Sequence, residues 1–223
     1  MKNWLLAARL KTLPAAMSPV ILGCALAYHD GYFHFFICAM TLLAAVLIQV
    51  GANFANDVFD FQKGADRDDR LGPTRATQSG LISAEKMKKA MWQTFALAIC
   101  VGFYLAFKGG WPIVWIGLAS IAAGIAYTGG PYPLGYHGFG DIFVFIFFGL
   151  IAVPGTYYLQ SGTINEMSLW MGAIMGMLST AILVVNNLRD ADTDELSGKR
   201  TLAVRFGKTF SKIQYSMLVL IPF

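Results

Sequence analysis

The sequence predicts an all-α protein: a polytopic transmembrane helical bundle with about six full spans and a partial seventh. Three observations carry this. Of 223 residues, 56% are hydrophobic and 13% charged, and mean hydropathy is +0.55. That balance belongs to integral membrane proteins rather than globular enzymes. The apolar residues gather into runs close to the ~20 residues that cross a bilayer core. The charges segregate as well: counting spans puts sixteen of the 17 basic residues on one side, with Lys108 alone opposite.

Lys2, Arg9 and Lys11 precede the first run, Leu13–Tyr28. Pro14 and Pro19 interrupt it and no small-residue cleavage site follows, so no cleavable signal is expected. The second run, Phe33–Asn56, leads into a loop bearing Lys63, Arg67, Arg70, Arg75, Lys86, Lys88 and Lys89. Met91–Phe107 and Pro112–Tyr127 make the third and fourth, and Ile142–Leu159 and Leu169–Asn187 the fifth and sixth. Arg189, Lys199, Arg200, Arg205, Lys208 and Lys212 follow the sixth. A seventh begins near Ile213 and reaches only Phe223, too short to cross a bilayer. The chain therefore reads as a single membrane domain over residues 1–223 that is incomplete at its C-terminal end.

The positive-inside rule puts the N-terminus and both large basic loops in the cytoplasm. This distribution accounts for the net charge of +4. It points to a lipid bilayer as partner and not to nucleic acid. Cys24, Cys38 and Cys100 lie inside apolar runs with no ligand spacing, and read as packing residues.

Against this background nine of the 13 acidic residues fall into two clusters, each at the end of a long apolar run. The first is Asn56-Asp57-Val58-Phe59-Asp60, followed by Gly64-Ala65-Asp66-Arg67-Asp68-Asp69. The second is Asn187-Leu188-Arg189-Asp190-Ala191-Asp192-Thr193-Asp194-Glu195. Carboxylates beside bilayer-embedded helices are costly and read as functional. At helix C-termini they also oppose the macrodipole, so a compensating cation is expected.

Gln49, Asn53, Asn56 and Asp60 share one helical face, a polar stripe that reads as a cavity wall. Asn187, Asp190 and Asp194 share another. Each motif thus offers an amide and two carboxylates in line, suited to Mg²⁺ bridged to a phosphate ligand. Arg75 in Gly72-Pro73-Thr74-Arg75 and Lys199 in Gly198-Lys199-Arg200-Thr201 would neutralise the remaining charge of a diphosphate. Tyr127 ends the fourth span on the same side, where it faces the cavity or anchors the interface. His137 reads as structural.

These motifs, with Lys11-Thr12-Leu13-Pro14-Ala15, Tyr127-Thr128-Gly129-Gly130-Pro131 and Asn186-Asn187-Leu188-Arg189-Asp190, resemble the UbiA superfamily of membrane aromatic prenyltransferases. Within it they look most like the 1,4-dihydroxy-2-naphthoate polyprenyltransferases of menaquinone biosynthesis. The resemblance implies nine helices around a cavity open to the bilayer, in a bacterial inner membrane. It implies transfer of a polyprenyl group from polyprenyl diphosphate to 1,4-dihydroxy-2-naphthoate, releasing diphosphate and CO₂ and giving demethylmenaquinol.

Carried over residue by residue, Asn56, Asp60 and Asp66 would bind one Mg²⁺–diphosphate unit, and Asp190 and Asp194 the other. Asp60, Asp190, Asp194 and Lys199 would be catalytic. Arg75 and Lys199 would contact diphosphate, Arg9 an anionic substrate group, and Tyr127 and Asn187 would line the substrate site. Asp57 and Asp192 would support these ligands or stand in for them, although helical phase turns them from the main stripes. Two alternatives stay open: a related enzyme acting on 4-hydroxybenzoate or homogentisate, and a divalent-cation transporter.

Overall fold

The computed structural model describes residues 1–65 and 72–223. Every regular element among the described residues is helical. Helix α1 (Lys2–Ala8) ends at Arg9, whose φ of 51° is the left-handed conformation, and a short 3₁₀ turn leads into α2 (Leu13–His29). Then come α3 (Phe35–Gln62), α4 (Ala84–Gly109) and α5 (Trp111–Ala126). A 3₁₀ turn at Leu134–His137 precedes α6 (Gly140–Val144), a π-helical stretch Phe145–Ile151 and α7 (Ala152–Ser161), which run on as one rod. Helices α8 (Glu166–Leu196) and α9 (Leu202–Leu220) follow.

Among the described residues five helical stretches are long and apolar enough to span a bilayer: Lys2–His29, Phe35–Gln62, Ala84–Gly109, Gly140–Ser161 and Glu166–Leu196. The protein is an integral membrane protein. The expected fourth span, α5, is apolar but has only 16 residues, about 24 Å of helix against a ~30 Å hydrocarbon core. Other boundaries differ from the hydropathy reading in one direction. Helix α3 runs past Asn56 to Gln62, α4 starts at Ala84 rather than Met91, and α8 runs past Asn187 to Leu196. Hydropathy marks the lipid-facing part of a helix, whereas backbone hydrogen bonding carries the helix on into polar sequence. The seventh segment likewise begins before Ile213, but α9 is broken at Gly207, whose φ of 84° and ψ of 170° are not helical, so a short helical piece from Leu202 precedes the apolar part. Thr201 caps it, its hydroxyl accepting from the Val204 amide at 3.4 Å.

Lipid-embedded helices associate through close packing rather than through hydrophobic expulsion from water. A close backbone-to-backbone contact joins the π stretch to α8. A Cβ on Gly149 would lie 2.5 Å from both the Gly172 carbonyl oxygen and the Gly176 Cα. Gly172 and Gly176 form a G-x-x-x-G pair on α8, the spacing that lets backbones touch. The π winding precedes Pro154, which has no N–H for the carbonyl four residues back. At the motif end, Phe54, Ala55, Val58, Met87, Met91 and Phe95 form a core between α3 and α4 that also takes in Ala76 and Ile82 from the intervening loop. At the opposite end Asp30 accepts from the Tyr157 hydroxyl at 2.7 Å and from the Asn165 amide at 3.0 Å, joining the ends of α2, α7 and α8.

Candidate active site

Asn56, Asp57 and Asp60 of the first acidic motif lie on α3, so Asp57 and Asp60 sit about one turn apart, with distinct partners. Asp57 is buried and accepts from the backbone amides of Ala76 at 3.1 Å and Thr77 at 2.9 Å. Together with burial of Ala76 and Ile82, this pins the loop that carries Arg75. Arg75, only 7% exposed, is thereby delivered to Asp60: its guanidinium donates to Oδ2 at 2.9 Å. Asp57 is thus a structural anchor for the Arg75 loop.

Asp60 is 1% exposed and is also reached from the other half of the bundle. Lys199 Nζ donates to its Oδ2 at 3.1 Å and the Tyr136 hydroxyl to its Oδ1 at 2.8 Å. The Lys199 and Lys63 ammonium groups each stand 4.9 Å from the centre of the Tyr136 ring, a double cation–π arrangement. Lys63 donates to the Thr128 carbonyl at 2.6 Å, and the Thr128 hydroxyl donates to Asn56 Oδ1 at 2.9 Å. The Lys199 loop is held by two backbone bonds, Lys199 N–H to the Asp194 carbonyl and Arg200 N–H to the Tyr136 carbonyl, each 2.8 Å. Three cationic side chains thus gather around one carboxylate and one phenol ring, an arrangement that can receive a polyanion.

Partial burial of its ammonium lowers the Lys63 pKa below the ordinary lysine value; the Asp60 charge opposes this and the Lys199 charge adds to it. The unfolded chain therefore binds more protons between the folded and unfolded values, and this group's contribution to stability rises with pH across that window. In a pH series of amine acylation, the folded protein should label Lys63 with a midpoint below that of the denatured chain. Lys199→Gln should move the midpoint up. Equal midpoints in folded and denatured protein would contradict this account of Lys63.

The second motif lies on α8. Asp190 is buried, and Arg189 grips it with two hydrogen bonds of 2.7 Å each. Asp194 is half-buried and linked to the Asp60 cluster through the Lys199 backbone. Asn187 is half-buried and makes no side-chain hydrogen bond among the described residues. Asp192 is exposed and pairs with Lys208 at 2.7 Å. Tyr127 is wedged against Gly135 and Gly140: a Cβ on either would come within 2.9 Å of its ring or hydroxyl. It lies close enough to Asp141, Asp60 and Asp194 to feel their charges. Asp66 lies outside the described residues.

The expected cavity-wall stripe divides in two. Asn53 donates to the Ala8 carbonyl at 2.9 Å and to Thr12 Oγ1 at 3.0 Å, and Gln49 reaches the same hydroxyl at 3.4 Å. The upper half of the stripe therefore fastens the corner at Arg9, and only Asn56 and Asp60 belong to the cluster. His137 stacks on Tyr132 at 3.6 Å and bonds the Pro133 carbonyl, consistent with a structural role. Tyr136, Lys63 and Thr128 had no sequence signal of their own. A tyrosine in a Gly/Pro turn and a lysine in a basic loop read as interfacial residues until the fold brings them together.

The UbiA prenyltransferase family model matches residues 16–223. The chain belongs to this family. It is 39% identical to the 1,4-dihydroxy-2-naphthoate octaprenyltransferase of Escherichia coli (strain K12) over 97% of its own length and 72% of the relative's. It is also 39% identical to the Mycobacterium tuberculosis protein of the same name, over 97% and 74%. Its backbone matches a UbiA homologue from Archaeoglobus fulgidus, solved with DMAPP and Mg²⁺, with a TM-score of 0.71 and 14% identity, covering 99% of this chain and 75% of that one. The Asp60 cluster therefore lies within a membrane-embedded UbiA prenyltransferase.

Proposed function

We propose that this UbiA prenyltransferase moves a polyprenyl group from polyprenyl diphosphate onto 1,4-dihydroxy-2-naphthoate, releasing diphosphate and CO₂ to give demethylmenaquinol. The carrying observation is 39% identity, over nearly the whole chain, to relatives named for that reaction. The buried Asp60–Arg75–Lys199–Tyr136 cluster supports it. The active end would face the cytoplasm of a bacterial inner membrane, in keeping with the basic loops.

The candidate donors on Asn56, Asp60, Asp190 and Asp194 are all oxygens, the ligand type of Mg²⁺. Among the described residues no three Asp, Glu, His or Cys side chains converge. Mg²⁺ is commonly held by one or two carboxylates, water and substrate phosphate rather than by an all-protein cage. Asn56 and Asp60, with Asp66, would hold Mg²⁺ on one side, and Asp190 and Asp194 on the other. When bound, Mg²⁺ supplies charge neutralisation of the departing diphosphate.

Arg75 and Lys199 would turn from Asp60 toward diphosphate oxygens, and Lys63 would add charge at the same place. The Tyr136 ring, already a cation–π partner for two lysines, would sit beside that diphosphate end. Tyr127 and Asn187 would line the prenyl and acceptor cavity. Arg9, at the corner braced by Asn53, would take the acceptor carboxylate. No side-chain nucleophile is needed, because the electron-rich ring itself attacks the allylic carbon.

Tyr136→Phe should lower kcat/KM about tenfold, since a hydrogen bond to a charged acceptor is worth ~1.5–3 kcal/mol. Unchanged kinetics would make Tyr136 a mere prop. The reaction is tested with membranes containing the protein, Mg²⁺, a polyprenyl diphosphate and either 1,4-dihydroxy-2-naphthoate or 4-hydroxybenzoate, reading product mass. Prenylated naphthol lacking CO₂, and nothing from hydroxybenzoate, is the expected result. Product from hydroxybenzoate alone would overturn the acceptor assignment.

A further inference from the structure

A cavity of about 510 Å³ opens at the end of the bundle opposite the acidic motifs. It is formed by the start of α3, the end of α4 and the end of α7, with His34, Phe36, Tyr104, Lys108, Tyr158 and Gln160 among its walls. Two features set it apart from an ordinary helix groove. Its lining contains no carboxylate, and it contains Lys108, the basic residue that stands apart from the other sixteen. Among the described residues the Lys108 ammonium has no hydrogen bond or ion pair, standing only 6.0 Å from the neighbouring Phe107 ring. The His34 ring and the Tyr104 hydroxyl likewise make no hydrogen bond among the described residues.

The walls themselves are firmly built. Gln160, buried, accepts from the His34 amide at 2.7 Å and donates to the His34 carbonyl at 3.4 Å, locking α7 to the start of α3. The Tyr158 hydroxyl donates to the Gly109 carbonyl at 3.1 Å, locking α7 to the end of α4. The Tyr104 and Phe36 rings meet edge to face at 5.1 Å. The acidic residues of this end are engaged elsewhere: Asp30 with Tyr157 and Asn165, Glu166 with Trp170.

A fixed pocket thus presents a cation and neutral polar groups beside Phe35, Phe36 and Ile37. Exposed Phe103, Phe107, Trp111 and Trp115 on neighbouring turns mark the depth of a membrane interface. We propose that this cavity binds the phosphate headgroup of an anionic phospholipid in the leaflet opposite the active site. Lys108 is the charge partner, His34 and Tyr104 are hydrogen-bond donors, and an acyl chain lies along Phe35, Phe36 and Ile37. The charge of Lys108 then has a counterion, which the described residues do not supply. The occupied site would bridge three helices, among them α3, whose far end carries Asp60.

The test is native mass spectrometry of the full chain released from detergent containing equal phosphatidylglycerol and phosphatidylcholine. Wild-type protein should retain phosphatidylglycerol preferentially. Lys108→Ala should weaken that retention about fivefold, the weight of one cation near an anionic headgroup, while Lys108→Arg keeps it. Lys108 is exposed, so its replacement leaves the fold intact. Equal retention of the two lipids, or retention unaffected by Lys108→Ala, would overturn the proposal. A parallel thermal-shift series uses inorganic phosphate at the same concentration as the lipid. Protection by phosphate equal to that by phosphatidylglycerol would make this a simple anion site and overturn the lipid assignment. None of these readouts depends on prenyl transfer, so failure here and failure of the proposed reaction are separately visible.

Discussion

Asp60→Ala is expected to lower kcat for prenyl transfer by at least ~100-fold, the scale of losing one preorganised charge stabiliser. Asp60 is the meeting point of both halves of the bundle: Arg75 arrives from the α3–α4 loop, Lys199 from the loop after α8, and Tyr136 from the turn before α6. In the proposed reaction the same carboxylate would help hold Mg²⁺ against the diphosphate. Removing one partner of a buried ion pair can by itself cost ~3–5 kcal/mol of stability. The decisive comparison is therefore Asp60→Asn, which keeps the volume and discards the charge, with the thermal midpoint measured beside turnover. A loss of turnover with a near-native midpoint is the expected pattern. Asp192→Ala, at an exposed position paired with Lys208, should leave both unchanged. Asp60→Asn at wild-type speed would refute the proposed role.

The largest effect on stability is expected at Gly149. A Cβ there would meet the Gly172 carbonyl oxygen and the Gly176 Cα, each at 2.5 Å, and both are backbone atoms that no rotamer change can move. Gly149→Ala should destabilise the protein by ~1–3 kcal/mol or more through overpacking, by forcing α8 off the π stretch. Gly155→Ala in the same rod provides the control. Its new Cβ would meet only Ile116 Cδ1 at an ordinary 3.5 Å, and it should be neutral or stabilising. Thermal midpoints in one detergent measure both. A Gly149→Ala midpoint equal to that of Gly155→Ala would show that the helices separate at little cost. Because α8 carries Asp190 and Asp194, lost packing at Gly149 should also appear as lost turnover.

The long apolar runs made the spans legible, and the helical phase of Asn56 and Asp60 made the first motif legible. The helix ends were misread because hydropathy stops where lipid stops, as at Asn56 and Asn187. The division of labour between Asp57 and Asp60 was half legible. Phase turned Asp57 away from the stripe, but nothing in the sequence showed that it would hold the amides of Ala76 and Thr77. Tyr136, Lys63 and Thr128 were invisible, because their importance comes from partners 65 to 76 positions away. Gln49 and Asn53 misled for the same reason: a polar stripe looks alike whether it faces a cavity or a neighbouring backbone corner.

The π stretch at Phe145–Ile151 also sets the angular bookkeeping of its rod. An α-helix advances about 100° per residue, so a wider turn in mid-rod rotates everything beyond it relative to everything before it. Tyr157, which reaches Asp30, and Gln160, which reaches His34, owe their direction to that phase offset. Taking out a single residue between Phe145 and Ile151 would restore regular winding and leave the local hydrophobicity almost untouched. The ~100° step lost with that residue would be nearly recovered as the remaining six tighten to regular winding, so Tyr157 and Gln160 would keep their directions: the wide turn absorbs one extra residue without uncoupling one membrane face from the other.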